Sequence, residues 1–129
     1  QYKIDRLGLE KVIHILPLMK DITPFLSQMD FMVYSSKHEG FCAAVSESLL
    51  AGKPVIGTTT GGIPEQVFNG ENGYLYDYGE EEVLCGLVLK LAEDEALRLK
   101  MVEKSRALFL KNFGHEVISE RLEKAYLEN

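Results

Sequence analysis

The chain has 129 residues, 46% hydrophobic and 26% charged, the make-up of one globular domain large enough to bury a core without staples. Its net charge is −6 and it has no Lys/Arg cluster, so it lacks the basic face needed to grip a phosphate backbone, and no nucleic-acid partner is expected. Cys42 and Cys85 form neither a CxxC pair nor a disulfide framework, no signal peptide is read, and no apolar run approaches the roughly 20 residues that span a bilayer. The chain is therefore expected to be cytoplasmic, with its thiols reduced. It begins at Gln1 in mid-pattern and is expected to be a piece of a longer protein, to which any peripheral membrane contact would belong.

In chain order, Val12–Leu16 (VIHIL) is short, rich in branched residues and ends at Pro17, which predicts a strand. Asp21–Gln28 predicts a short helix with Pro24 in its first turn. Phe31–Tyr34 predicts a second strand. Ala43–Ala51 predicts a helix stopped by Gly52 and Pro54. Pro54–Thr58 predicts a third strand and Ile63–Phe68 about one helical turn. Asn69–Gly73 is turn chemistry, and Gly73–Tyr76 predicts a fourth strand. Residues 80–93, 95–111 and 115–127 then carry helical apolar spacing, predicting three helices with charged outer faces.

Short apolar strands separated by helices predict an α/β fold, a Rossmann-like parallel sheet with helices on both faces. Ligands of such sheets bind at the carboxyl ends of the strands. The loops after Leu16, Tyr34 and Thr58 are expected to share that edge.

The stretch from Lys37 to Cys42 (KHEGFC) precedes a helix N-terminus. Unpaired first-turn amides and the helix dipole make such an end a receptor for an anion or a hydroxyl group. Gly40 permits close approach and Glu39 stands at the lip, as a helix-terminal acid or as an acceptor for sugar hydroxyls. Glu47 lies on a stripe with Ala43, Ala44, Leu50 and Ala51, which is expected to be buried. An unpaired carboxylate there is costly, and a vicinal diol, a lysine or backbone groups would satisfy it. Downstream, Thr58-Thr59-Thr60 runs into Gly61-Gly62, which allows positive φ and close backbone approach, or simply a turn into the next helix. Neither a dinucleotide fingerprint nor a P-loop is present. His14 lies inside a strand pattern and reads as a packed or surface histidine, and His38 and His115 have no ligand-spaced partners, so no metal site is expected.

The order Asp30, Ser35-Ser36, Glu39-Gly40-Phe41, Glu47, Ala51-Gly52-Lys53-Pro54-Val55-Ile56, Thr58, Gly61-Gly62-Ile63-Pro64-Glu65, Gly70, Asn72-Gly73-Tyr74-Leu75 resembles the C-terminal, donor-binding domain of a GT-B glycosyltransferase. The retaining family 4 group is the nearest likeness. Two glutamates eight apart followed by Gly-Gly-x-Pro-Glu is far more specific than either element alone, and weaker likeness covers most of the chain.

The resemblance implies a catalytic Glu39 that orients the donor sugar and stabilises developing positive charge. It implies sugar and phosphate contacts from Gly40, Phe41, Cys42 and Ala43, ribose contacts from Glu47, and a base-proximal segment at Leu16 and Pro17. Gly61 and Gly62 match the family's glycine loop. The partner implied is a nucleotide diphosphate sugar, as substrate, with no cofactor and no essential metal. Where the family commonly has glycine or another small residue, this chain has Cys42. A thiol at a helix N-terminus would be expected to be acidic, although no third group accompanies Cys42 and His38 to form a nucleophilic hydrolase. The family's Arg and Lys that clamp the diphosphate precede the region where this chain begins, and Lys3, Arg6, Lys11, Lys20 and Lys37 do not match them. The N-terminal acceptor domain is also missing, so the chain alone is expected to bind donor weakly and not to catalyse. The rival readings are a GT-B-like phosphorylase or epimerase, and a scaffold domain that has lost its chemistry.

Overall fold

A computed structural model describes residues 2–128. Three strands, β1 (Met32–Tyr34), β2 (Val55–Thr58) and β3 (Gly73–Tyr76), form a parallel sheet in the order β1-β2-β3. Met32 pairs with Val55 and Ile56 with Tyr74. Seven helices accompany them among the described residues: α1 (Tyr2–Arg6), α2 (Thr23–Gln28), α3 (Ala43–Leu50), α4 (Ile63–Gln66), α5 (Glu81–Glu93), α6 (Glu95–Phe113) and α7 (His115–Leu127).

The central strand β2 is buried at every position, and its alternation builds a core on each face of the sheet. On one face Val55 meets Val45 and Leu49 of α3, Ile63 of α4, Val67 and Phe109 of α6. On the other, Ile56 and Tyr76 meet Leu91 of α5 and Met101 of α6. Gly73 is obligatory at the β2–β3 pairing, because a Cβ there would lie 1.9 Å from the Val55 carbonyl oxygen. Asp94 separates α5 from α6 and caps α6, its carboxylate accepting the Leu97 amide at 2.8 Å.

One predicted element is absent. Residues 13–19 form neither helix nor strand, and Val12, Ile13, Ile15 and Leu16 are exposed. A branched apolar run has the propensity for a strand but needs a backbone ladder to complete it. β1 ends the sheet on that side, and the run does not pair with it. The other boundaries agree with the sequence pattern to within about two residues, the usual uncertainty at element ends.

Candidate functional site

The loops after the three strands are joined at the carboxyl edge of the sheet. The Thr58 hydroxyl donates to the Ser36 carbonyl at 2.8 Å, which ties the end of β2 to the loop after β1. The Thr59 amide donates to the Tyr76 carbonyl at 3.0 Å, and the Thr59 hydroxyl donates to the Asp77 carboxylate. The Gly62 amide donates to the Gly40 carbonyl at 2.6 Å.

Gly61 and Gly62 do allow close approach, and what approaches is the Glu39 loop itself. Gly61 has φ 56°, and a Cβ on it would stand 2.3 Å from the Glu39 carbonyl oxygen and 2.4 Å from that of Gly40. A Cβ on Gly62 would stand 2.9 Å from the Phe41 ring. The glycine pair is the bed on which residues 39–41 lie.

The Glu39 loop enters α3 through Cys42, whose φ of 64° makes it the one non-glycine residue with positive φ among the described residues. Side chains are strained in that region, by roughly 1–2 kcal/mol, which gives glycine its advantage at this position. No side-chain hydrogen bond caps α3. Cys42 is 9% exposed and belongs to the α3 core. The expected acidity of its thiol is corrected here: burial first, then the neighbouring Glu39 carboxylate, push it above the ordinary thiol range despite the adjacent helix end.

Glu39 is half-buried at the rim, Gly40 is exposed, and Ala43 is the exposed first residue of α3. The Phe41 side chain turns to Phe113 at the end of α6, edge-on at 5.2 Å between ring centroids. Phe41 thus anchors the loop by its ring.

Two expectations fail. Glu47 is exposed and carries no burial cost. The inward face of α3 is Val45, Ser48 and Leu49, while Ala43, Leu50 and Ala51 face outward with Glu47. Small and apolar was misread as buried. The outward face instead borders an open groove of 530 Å³ with Ile22, Thr23 and Leu26 around α2, together with Lys20, Asp21 and Arg106. Leu16 and Pro17 are not gathered to the strand-end crevice, since the strand that would bring them is not formed; both are exposed.

Sequence reasoning missed two buried polar residues behind the loop. Gln66 is 1% exposed. Its side-chain amide donates to the Phe41 carbonyl and, at 3.3 Å, to the Gly62 carbonyl, while its oxygen accepts the Ser46 hydroxyl at 2.8 Å. Asn72, fully buried, donates to the Gln66 carbonyl at 2.9 Å and accepts the Phe68 amide at 2.7 Å. The available signal was a glutamine between Pro64 and Val67 in a segment too apolar to expose it all. Tyr34, at the end of β1, also faces the loop: burial first, and the Cys42, Glu47 and Glu39 charges after it, raise its phenol above the ordinary range, against a hydrogen bond with Ser48. Among the described residues no three His, Cys, Asp or Glu side chains come together as a metal ligand set, and no helix is long and apolar enough to cross a membrane.

Comparison with known proteins places this geometry in context. The family described as glycosyl transferases group 1 matches residues 1–108. N-acetyl-alpha-D-glucosaminyl L-malate synthase of Bacillus anthracis is 30% identical over 125 residues, 97% of this chain and 33% of that protein. Trehalose phosphorylase of Pleurotus pulmonarius is 46% identical over 71 residues, 55% of this chain and 10% of that protein. A crystal structure of Anabaena Alr3699/HepE in complex with UDP superposes with a TM-score of 0.90 at 27% identity, covering 99% of this chain and 35% of that one, and the same protein has been solved with UDP-glucose. The chain thus spans about a third or less of these proteins.

Proposed function

Because the chain belongs to the glycosyl transferases group 1 family, we propose that it forms the nucleotide-sugar-binding, C-terminal half of a GT-B glycosyltransferase that transfers a sugar, with retention, to an acceptor hydroxyl. The observation that carries this reading is the strand-end loop Glu39–Cys42, seated on Gly61-Gly62 and leading into an α3 end that no side chain caps.

In this reading the main chain of Gly40, Phe41, Cys42 and Ala43, with the dipole of α3 behind it, receives oxygens of the sugar or diphosphate. Glu39 orients the sugar and stabilises positive charge at the anomeric carbon as the nucleoside diphosphate leaves. Glu47, one helical turn along the exposed face of α3, accepts the ribose hydroxyls, a strong charge-assisted pair of bonds. No cofactor or bound metal enters the reaction. The diphosphate clamp and the acceptor site lie in the remainder of the protein.

The test is a titration of the isotope-labelled chain with UDP, GDP and ADP and their sugars, followed by amide chemical shifts. UDP is tried first because HepE binds it. Shifts clustering at residues 38–47 and 59–65 support the donor site, and a folded sample unmoved by millimolar nucleotide refutes it for this chain. A second reading, a glycoside phosphorylase, is favoured by the 46% identity to trehalose phosphorylase. It predicts that inorganic phosphate, rather than a nucleotide, moves the resonances of residues 40–43.

A further inference from the structure

Gln66 is a buried polar side chain behind the Glu39 loop, and its side-chain hydrogen bonds reach residues outside α4. The amide nitrogen serves two carbonyls, one in the loop (Phe41) and one in the glycine pair (Gly62). The oxygen serves the Ser46 hydroxyl on α3. Carbonyls only accept, so the two of them fix which end of the amide is nitrogen. From the other side, Asn72 holds the Gln66 main-chain carbonyl at 2.9 Å.

The surroundings explain why this is more than packing. Ile63, which opens α4, and Val67, which follows it, both belong to the apolar core. A methionine or leucine would fill the space of Gln66 without three hydrogen bonds to arrange. Each of those bonds reaches a different part of the candidate site: the loop carrying Glu39, the glycine bed under it, and the helix carrying Glu47. A notional Cβ on Gly40 has nothing within 4 Å, so the crest itself is open. The loop is held from beneath by the Gly62–Gly40 hydrogen bond and by Gln66, and at its side by the Phe41 ring against Phe113.

We propose that Gln66 is a positioning residue for the donor site, holding the Glu39–Cys42 main chain at a fixed height over Gly61-Gly62 and in register with α3. The inference rests on the donor-site reading above. Gln66 touches no ligand itself and acts through the Phe41 carbonyl and Ser46.

The experiment compares the folded chain with Gln66→Met and Ser46→Ala, reading UDP affinity, the amide resonances of residues 39–43, and hydrogen exchange at the Gly62 amide. Gln66→Met is expected to weaken UDP binding at least about fivefold, a change near one kilocalorie in affinity terms. It is also expected to move the resonances of Gly40, Phe41 and Cys42 and to speed exchange at Gly62, while β1–β3 resonances stay in place. A variant with unchanged UDP affinity and unmoved loop resonances overturns the proposal. If Gln66→Met fails to fold, Ser46→Ala decides. It frees one end of the amide and is expected to weaken UDP about twofold in the same loop-centred pattern, and unchanged affinity overturns the role of Gln66. A wild-type chain that ignores UDP, GDP and ADP alike refutes the donor-site reading and the inference with it. A wild-type chain that binds UDP as well as its variants do refutes the inference alone.

Discussion

The amide of Gly62 donates to the carbonyl of Gly40 at 2.6 Å, so the glycine pair after β2 and the glycine in the loop after β1 are two halves of one structure. The glycines play different parts. Gly40 forms the exposed crest, and Gly61 and Gly62 leave room beneath it. A side chain in the lower layer moves the upper one.

Gly61→Ala tests this against Gly70→Ala. Both positions have positive φ, 56° and 78°, so both substitutions carry the cost of a left-handed alanine, about 1–2 kcal/mol. Only at Gly61 does the new Cβ meet backbone oxygens, at 2.3 and 2.4 Å; at Gly70 nothing lies within 4 Å. Urea unfolding is expected to show Gly61→Ala as the more destabilised. Amide shifts are expected to move at Glu39–Phe41 in that variant alone.

Glu47 separates stability from binding. It is exposed, so Glu47→Ala is expected to leave unfolding free energy within about 0.5 kcal/mol of wild type. If it holds a ribose diol, the loss of charge-assisted bonds worth about 1.5–3 kcal/mol weakens nucleotide binding roughly tenfold or more. Paired measurements of melting and UDP titration check this. A large fall in stability with no change in binding would return Glu47 to a structural role.

What was legible in the sequence, and what was not, follows from how far each signal reaches. β2, with Gly52 and Pro54 before it and Gly61-Gly62 after it, and β3, introduced by Asn69–Gly73, are bounded by local turn chemistry and stand where the pattern puts them. The Glu39 loop and the glycine loop fall on one sheet edge because every strand is parallel. The Val12–Leu16 run was misread because propensity is local and a ladder is not. The phase of α3 was misread because Ser48 disguises its buried face. That hydroxyl is satisfied within the helix, donating to the Ala44 carbonyl at 2.8 Å, so a polar residue sits fully buried at no cost visible in the sequence. Gln66 could not be placed, since its role exists only once the loop 25 residues upstream comes to rest on it.

Asn72 is expected to be the costliest conservative loss in the turn before β3. Its side chain holds the Gln66 carbonyl and the Phe68 amide, and it is completely buried. Asn72→Leu strands both backbone groups, each at about 1–3 kcal/mol. The expected result is a drop in the urea midpoint of several tenths molar or more with an unchanged slope. Asp94→Ala, which removes only the cap on α6, is expected to cost about 1 kcal/mol in the same assay.

Cys42 and Cys85 are expected to behave oppositely, and alkali is expected to show why. Cys85 is exposed on α5 and Cys42 is buried under the Glu39 carboxylate, so iodoacetamide near neutral pH should modify Cys85 in the native chain and leave Cys42 until it unfolds. Burial is also the first cause raising the phenols of Tyr34 and Tyr76. For all three groups the neutral form is the one the fold prefers, so the native state keeps protons that the unfolded chain gives up. Their stabilising contribution is full below the unfolded-state pKa and is lost as pH rises through the higher folded-state value. The window opens at the ordinary thiol value of 9.0 and widens above the ordinary phenol value of 10.0. Unfolding free energy should therefore fall steadily above pH 9. Cys42→Ala should remove the first part of that fall, leaving the part that begins near 10. Cys42→Gly should do the same and be the more stable of the two variants, because both lose the buried sulfur and only glycine is relaxed at a φ of 64°. Equal stabilities would mean that the left-handed turn into α3 carries no strain.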